Sequence, residues 1–279
     1  DSLRALKKNA YQLSNIAVFS DDLRDAIKGS VFEHADKGFA SGKSGMEETI
    51  KFGVTAACKH PQVDYSKVNY SKAPYANEPS QVVSYCECHD NHVLWDKLAI
   101  SNSKDDITLR KKMHQLALTI VLTSQGISFL HAGTEFLRSK KGVENSFNAG
   151  DSINAINWFE KADNSDVYQY VRSLIQMRKD HPAFRLTTQA EISKLIRFDK
   201  QVENGIVAYT INGAAVGDDW QKIRIIYNGN SNKSSVSMEP GNWKFFSKGD
   251  RLIHPVLSKE KVGNTIEVPA YGAAILYQE

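Results

Sequence analysis

The chain is expected to fold as an α/β region over residues 1–183 followed by an antiparallel β-sandwich over residues 184–279. Three features of the sequence carry this expectation. Short apolar, strand-favouring runs at 15–19, 82–86 and 127–130 alternate with stretches of helical apolar spacing at 22–28, 47–58, 108–123 and 166–179. Each of those runs ends in polar residues, at Ser20-Asp21-Asp22, at His89-Asp90-Asn91 and over 131–135, which is where α/β sheets gather ligands and catalytic groups. From about Phe184 the helical period disappears. Six β-type runs at 194–198, 206–211, 223–227, 243–246, 265–268 and 273–277 come after it, parted by turns such as Glu203-Asn204-Gly205 and Asn228-Gly229-Asn230.

Composition narrows the function classes. A length of 279 residues with 41% hydrophobic content suffices for one large domain or two. The 35 basic and 32 acidic residues are interspersed and leave a net charge of +3, so the surface lacks the basic stripe of a nucleic-acid binder and no nucleic-acid partner is expected. Cys58, Cys86 and Cys88 are odd in number, and the last two stand two apart on one strand, which argues against a disulfide framework. The longest apolar run, 116–130, is broken by Ser124, Gln125 and Gly126 and reads as helix, turn and strand, so no membrane span is expected. No cofactor motif is legible, calcium is neither indicated nor excluded, and His89, Asp90 and His92 have no closed ligand set beside them. The sequence opens on Asp1 with no Met and no leader pattern; it reads as a cut precursor or a piece of a larger protein, and its location stays open.

In chain order, helical spacing over 3–13 precedes the first apolar run, and Gly29 stops the helix at 22–28. A Gly- and Ser-containing loop at 31–45 leads to the helix at 47–58, and the loop 61–79 delivers the chain to the strand at 82–86. Beyond His89 and Asp90 the helical pattern resumes at Val93, Leu94, Trp95 and Leu98. Taken by themselves, Asp90 reads as the N-cap of that helix, His92 as solvent-facing, Trp95 as core, and Glu135 as the ion-pair partner of Arg138. The helix at 108–123 places Leu109, Met113, Leu116, Ala117, Ile120 and Val121 on one face. The loop 142–158, rich in Asn, Ser, Gly and Asp, is a plausible sugar-contacting surface, and His181-Pro182 breaks the last helix.

The run His89, Asp90, Asn91, His92, Val93, Leu94, Trp95, Asp96 resembles the fourth sequence region of the α-amylase superfamily, glycoside hydrolase family 13, in its type I pullulanase form, His-Asp-Asn-x-x-Leu-Trp-Asp. Residues 16–32 resemble the family's stretch after the sixth barrel strand, and residues 126–140 its eighth strand with the attached loop. In the loop 142–158, Asn145, Asp151 and Asn154 match the family pattern, while Phe147 and Asn157 stand where Tyr and Asp are common. The resemblance implies the C-terminal portion of a (β/α)8 TIM barrel, about the last three βα units, followed by the family's C-terminal β domain. It also implies retaining hydrolysis of α-1,6-glucosidic branch linkages in pullulan, glycogen or branched dextrins. Asp90 would be the transition-state stabiliser, His89 a hydrogen-bonding neighbour at the reacting sugar, and Asn91, Trp95, Asp96, Asn145, Asp151 and Asn154 substrate-binding residues. In the family the nucleophilic Asp and general-acid Glu come after the fourth and fifth barrel strands, which have no counterpart here. The expected partners are therefore an α-glucan and the upstream portion of the same enzyme, and these 279 residues alone are expected to hydrolyse no glucan. The alternative is a non-catalytic glucan-binding or structural piece.

Overall fold

The computed structural model describes residues 4, 6–253 and 262–279. Where helical spacing runs over 3–13, the described residues form a 3-10 turn at Lys7–Gln12, and the first positions of that stretch lie outside the described residues. Strand β1, Val18–Phe19, leads into helix α1, Asp21–Lys28, whose first turn is capped by Ser20: its Oγ accepts from the Leu23 amide at 3.3 Å. Gly29 ends α1 as the sequence predicts, with φ at 91° and the Asp36 carbonyl only 2.3 Å from where a Cβ would sit. Helix α2, Glu47–Val54, stops four residues short of the predicted 58 because Ala56 and Ala57 take φ of 51° and 52°, which a right-handed helix cannot hold.

Then come β2 at Val82–Ser84, α3 at Leu94–Ser101, α4 at Ile107–Thr123 and β3 at Ile127–Ser128. The three strands pair in parallel and in chain order, with Val18 opposite Val82 and Val83 opposite Ile127. They are shorter than the apolar runs that announced them: the first run begins before its ladder, and the second and third continue past theirs into the loops at the carboxyl ends. Two four-residue helices, α5 (Asp151–Asn154) and α6 (Glu160–Asp163), precede the long α7, Ser165–Asp180.

Helix α4 holds the two halves together. From Met113 to Thr123 every residue is buried, so the one-faced apolar stripe expected from sequence is in fact a helix covered on all sides. Its carboxyl end is bound by Arg178 of α7, which donates to the carbonyls of Leu122, Ser124 and Gly126 at 3.1, 2.7 and 2.7 Å. Its other side meets the β region: the Tyr209 hydroxyl donates to the Thr123 carbonyl at 3.2 Å and lies 2.7 Å from the Tyr227 hydroxyl.

The loss of helical period placed at Phe184 comes too early, since α8 spans Gln189–Leu195 before β4, Ile196–Phe198, begins. Thr188 and Glu191 form a reciprocal capping box there, which outweighs the β-type residues after it. The remaining strands are β5 (Ile206–Asn212), β6 (Lys222–Asn228), β7 (Ser234–Ser237), β8 (Lys244–Lys248), β9 (Arg251–Leu252), β10 (Thr265–Val268) and β11 (Gly272–Gln278). Six of the eight β-region strands form one antiparallel sheet in the order β4-β5-β6-β11-β8-β9, and β10 pairs with β7 in a separate ribbon. Residues of the central strands alternate between two apolar clusters. Val207, Tyr209, Ile211, Ile225 and Ile275 join the core around α4, whereas Ile206, Ala208, Ile226, Ala274 and Leu276 join Val236, Ile266 and Val268 of the ribbon. Covered on both faces, these strands read as continuous apolar runs.

The first cluster runs unbroken from Ala10 to Tyr277. The join between α7 and the sheet is fixed at Asp218, whose carboxylate meets His181 Nδ1 at 2.7 Å and accepts from the Ala183 amide at 3.0 Å, while the His181 ring stacks on Trp220 at 3.7 Å.

Candidate active site

The carboxyl ends of β1, β2 and β3 share an aromatic floor. Phe19 packs edge-on against Tyr85 and Phe129 at 4.9 and 5.3 Å between ring centroids. The Tyr85 hydroxyl accepts from Arg24 at 3.2 Å, Arg24 pairs with Asp25 at 2.6 Å, and Asp25 accepts from the Tyr70 hydroxyl at 2.7 Å. Of the acids after β1, Asp22 is fully buried and spends its oxygens on the amides of Tyr70 and Ser71 at 3.1 and 2.8 Å and on Lys7 at 2.7 Å.

His89 and Asp90 stand side by side beyond this floor, Nε2 to Oδ2 3.2 Å, with side chains 82% and 71% exposed. Asn91 turns the chain with φ at 61°, a conformation Asn tolerates better than most residues. Asp90 does not cap the next helix. That helix starts at Leu94 behind Val93, and the Leu94 amide is accepted by the carboxylate of Glu87, which lies three residues before Asp90.

His92 is buried and not solvent-facing: its ring meets that of His34 edge-on at 4.7 Å, and burial lowers its pKa. Trp95, half-buried, packs on the core with His114 at 6.0 Å and the Arg110 guanidinium at 5.4 Å over its face. Asp96 is 6% exposed; one oxygen accepts from the Ser139 hydroxyl at 2.6 Å, the other from the amides of Lys140 and Gly142 at 2.8 and 3.0 Å. Asn154 holds its own loop, donating to the carbonyls of Ser146 and Ala149 at 2.7 and 2.6 Å, while Asn145 and Asp151 are exposed. The expected Glu135–Arg138 pair does not form among the described residues. Glu135 accepts from the Gly133 amide at 3.0 Å, and Arg138 instead donates to the carbonyls of Ala132 and Asn154 at 3.0 and 2.6 Å.

Sequence reasoning missed the charged layer beneath this surface. Glu87 and Lys28 are 3% and 1% exposed; burial raises the pKa of the first and lowers that of the second, and each opposes that trend in the other. Lys28 donates to the His92 carbonyl at 3.0 Å; Lys140 donates to the His89 carbonyl at 3.0 Å and to Ser146 Oγ at 2.8 Å. His131 nearby is pushed down to about 4 by burial and by the charges of Arg138 and Lys140. The one available signal was a Glu set between two cysteines, Cys86 and Cys88, just beyond β2. No group of three or more His, Cys, Asp or Glu among the described residues has metal-holding geometry, and no helix of the described residues is long and apolar enough to cross a membrane.

A family model described as "Pullulanase, all-beta domain" matches residues 192–251. Pullulanase of Bacillus subtilis (strain 168) is 34% identical over 224 residues, 80% of this chain and 30% of that protein. Pullulanase 1, chloroplastic, of Arabidopsis thaliana is 27% identical over 237 residues, 70% of this chain and 25% of its own length. Among solved structures, pullulanase from Paenibacillus barengoltzii in complex with maltohexaose and alpha-cyclodextrin is 40% identical with a TM-score of 0.87, covering 99% of this chain and 41% of that one. Pullulanase from Bacillus acidopullulyticus is 35% identical with a TM-score of 0.85, covering 94% and 30%. The chain thus spans 25% to 41% of the length of these relatives, yet pullulanases 34% to 40% identical to it match most of its residues, as a C-terminal pullulanase fragment would.

Proposed function

We propose that this chain acts within a longer glycoside hydrolase of family 13 that cleaves α-1,6 branch linkages in pullulan, glycogen or branched dextrins with retention. In this reading residues 1–183 supply the last three βα units of a (β/α)8 barrel and residues 184–279 a β-sandwich domain. The observation that carries it is the exposed His89–Asp90 pair, 3.2 Å apart, at the carboxyl end of the middle strand of a parallel sheet.

Asp90 stabilises the positive charge that grows at the anomeric carbon, and His89 hydrogen-bonds the same sugar. Asn91, Asn145 and Asp151 border the glucan. Trp95, Asp96 and Asn154 shape that border from behind, since their side chains are committed to the fold. Retaining hydrolysis needs a nucleophile and a proton donor about 5–5.5 Å apart. Both are supplied from outside this chain, so the isolated chain turns over no glucan. The maltohexaose complex of the P. barengoltzii relative supports an α-glucan as the ligand.

Asp90→Asn in the intact enzyme tests the reading, since it keeps shape and removes charge. Losing one preorganised charge of this kind lowers kcat on pullulan roughly a hundredfold, about 3 kcal/mol. Unchanged kcat overturns the assignment; glucan binding without turnover in the intact enzyme establishes the non-catalytic alternative.

A further inference from the structure

The loops that follow α1, β2 and β3 meet at three side chains, one from each. His34 Nε2 lies 3.2 Å from Glu144 Oε2, and the His34 ring stands edge-on to that of His92, 4.7 Å between centroids. The two sides of this contact are held differently. Beneath His34, the buried ammonium of Lys97 in α3 donates to the carbonyls of Ser30, Glu33 and His34 at 2.8, 2.7 and 3.0 Å, which fixes that backbone to the fold. On the Glu144 side the chain is tied at Gly142, whose amide meets Asp96 at 3.0 Å, and at Ser146, whose hydroxyl meets Lys140 at 2.8 Å. Between these ties Val143 bonds back to the Lys140 carbonyl at 3.0 Å, but the amides of Glu144 and Asn145 find no acceptor among the described residues. The Glu144 carboxylate is what carries this stretch across to the neighbouring loop.

We propose that His34 and Glu144 are positioning residues: they form a clasp that holds Asn145, the next residue along, against the glucan. This rests on the reading of Asn145 as part of the glucan's border. With the clasp open, residues 143–145 are free to leave the cleft, and a bound glucan has to order them again, so the loss falls on binding and not on the chemical step at Asp90. The pair is modest in strength, since its side chains are 50% and 37% exposed; a contact of that kind changes affinity about twofold to fivefold. Its attraction needs a protonated imidazole and fades as rising pH removes the proton. The titratable and charged groups around His34 are Glu144, His92, Lys97, and Glu33 and Asp36 of its own loop; Asp36 is already paired with Lys43 at 2.7 Å, which leaves Glu144 as the carboxylate in contact with the ring.

The test is a double-mutant cycle in the intact enzyme on pullulan, run at about pH 5.5 and about pH 8, on either side of the range in which imidazoles ordinarily titrate. At the lower pH, Glu144→Gln is expected to raise KM about twofold to fivefold with kcat changed less than about 1.5-fold. At the higher pH the ratio of variant to wild-type KM is expected to fall to about one. His34→Gln is expected to give the same rise, and the double variant no more than either alone. A KM ratio that is the same at both pH values, a loss carried by kcat, or rises that multiply in the double variant overturn the proposal. Asn145→Ala separates the clasp from the reading beneath it. If Asn145→Ala raises KM and Glu144→Gln does not, the clasp is overturned and the border stands; if Asn145→Ala leaves KM unchanged, the border reading fails and the clasp with it.

Discussion

Removing the Asp96 carboxylate tests how the loop after β3 is held. Its two oxygens serve the Ser139 hydroxyl and the amides of Lys140 and Gly142 at 2.6, 2.8 and 3.0 Å, across a turn in which Lys141 and Gly142 take φ of 55° and 76°. No helix or strand is assigned to that turn, and this carboxylate accepts from three of its donors, beside the Lys141 amide on Ser139 Oγ at 2.9 Å and the Val143 amide on the Lys140 carbonyl at 3.0 Å. Asp96→Ala leaves the Lys140 amide buried without an acceptor, at a cost of about 1–3 kcal/mol. Ser139 and Gly142 reach water more easily, and losing their bonds to a charged acceptor adds about 1 kcal/mol in total. The sum is about 2–4 kcal/mol, or roughly a 10 °C fall in thermal midpoint for a chain of this size. Asp96→Asn keeps an acceptor for both amides, and Ser139 can reverse its hydroxyl to accept from the new NH2, so its cost is about 1 kcal/mol. Urea unfolding monitored by tryptophan fluorescence measures both. If the Ala variant loses no more than the Asn variant, the loop is held by something else and the reasoning is wrong.

Two further outcomes arise from the buried titratable groups. His114 is fully buried, with Nε2 2.8 Å from the Thr134 carbonyl and its pKa pushed down to about 4; the unfolded imidazole takes its proton near 6.5, so the unfolded state binds more protons between these values. Stability should therefore fall as pH drops from about 6.5 towards 4, by roughly 3 kcal/mol from this group, and His114→Gln should flatten the curve of unfolding free energy against pH; curves that stay parallel would refute it. Cys58 and Cys86 are buried with thiols pushed up, the first to about 12, whereas Cys88 is half-buried. A thiol reagent at neutral pH should label one cysteine of the native chain quickly, and Cys88→Ser should abolish that fast phase; a fast phase that survives would place the reactive thiol elsewhere.

The sequence by itself determined the parallel unit and where its strands give way to polar residues. The apolar runs ending at Phe19, Cys86 and Leu130 were legible, and so were the polar residues where each run gives out, although only β2 is buried throughout and Phe19 and Ile127 of its neighbours are exposed. The Gly29 stop was legible because no other residue accepts that backbone at so close an approach. A capping box at Thr188 and Glu191 also stood in the sequence, though the β-type residues after it masked helix α8. Strand β7, Ser234–Ser237, carried too few apolar residues to register, because a ribbon with one wet face needs only alternate positions filled.

Only the tertiary structure decided what the polar residues do. His89 and Asp90 and the buried Glu87 and Lys28 are chemically alike on paper, and the difference between an exposed pair and a buried pair arises from segments far apart in the chain, as with Lys28 and the His92 carbonyl. Period and turn chemistry are local and can be read along the chain. The partner that allows a charge to be buried comes from elsewhere in the fold, so the sequence alone could not distinguish the exposed carboxylate of Asp90 from the buried one of Glu87.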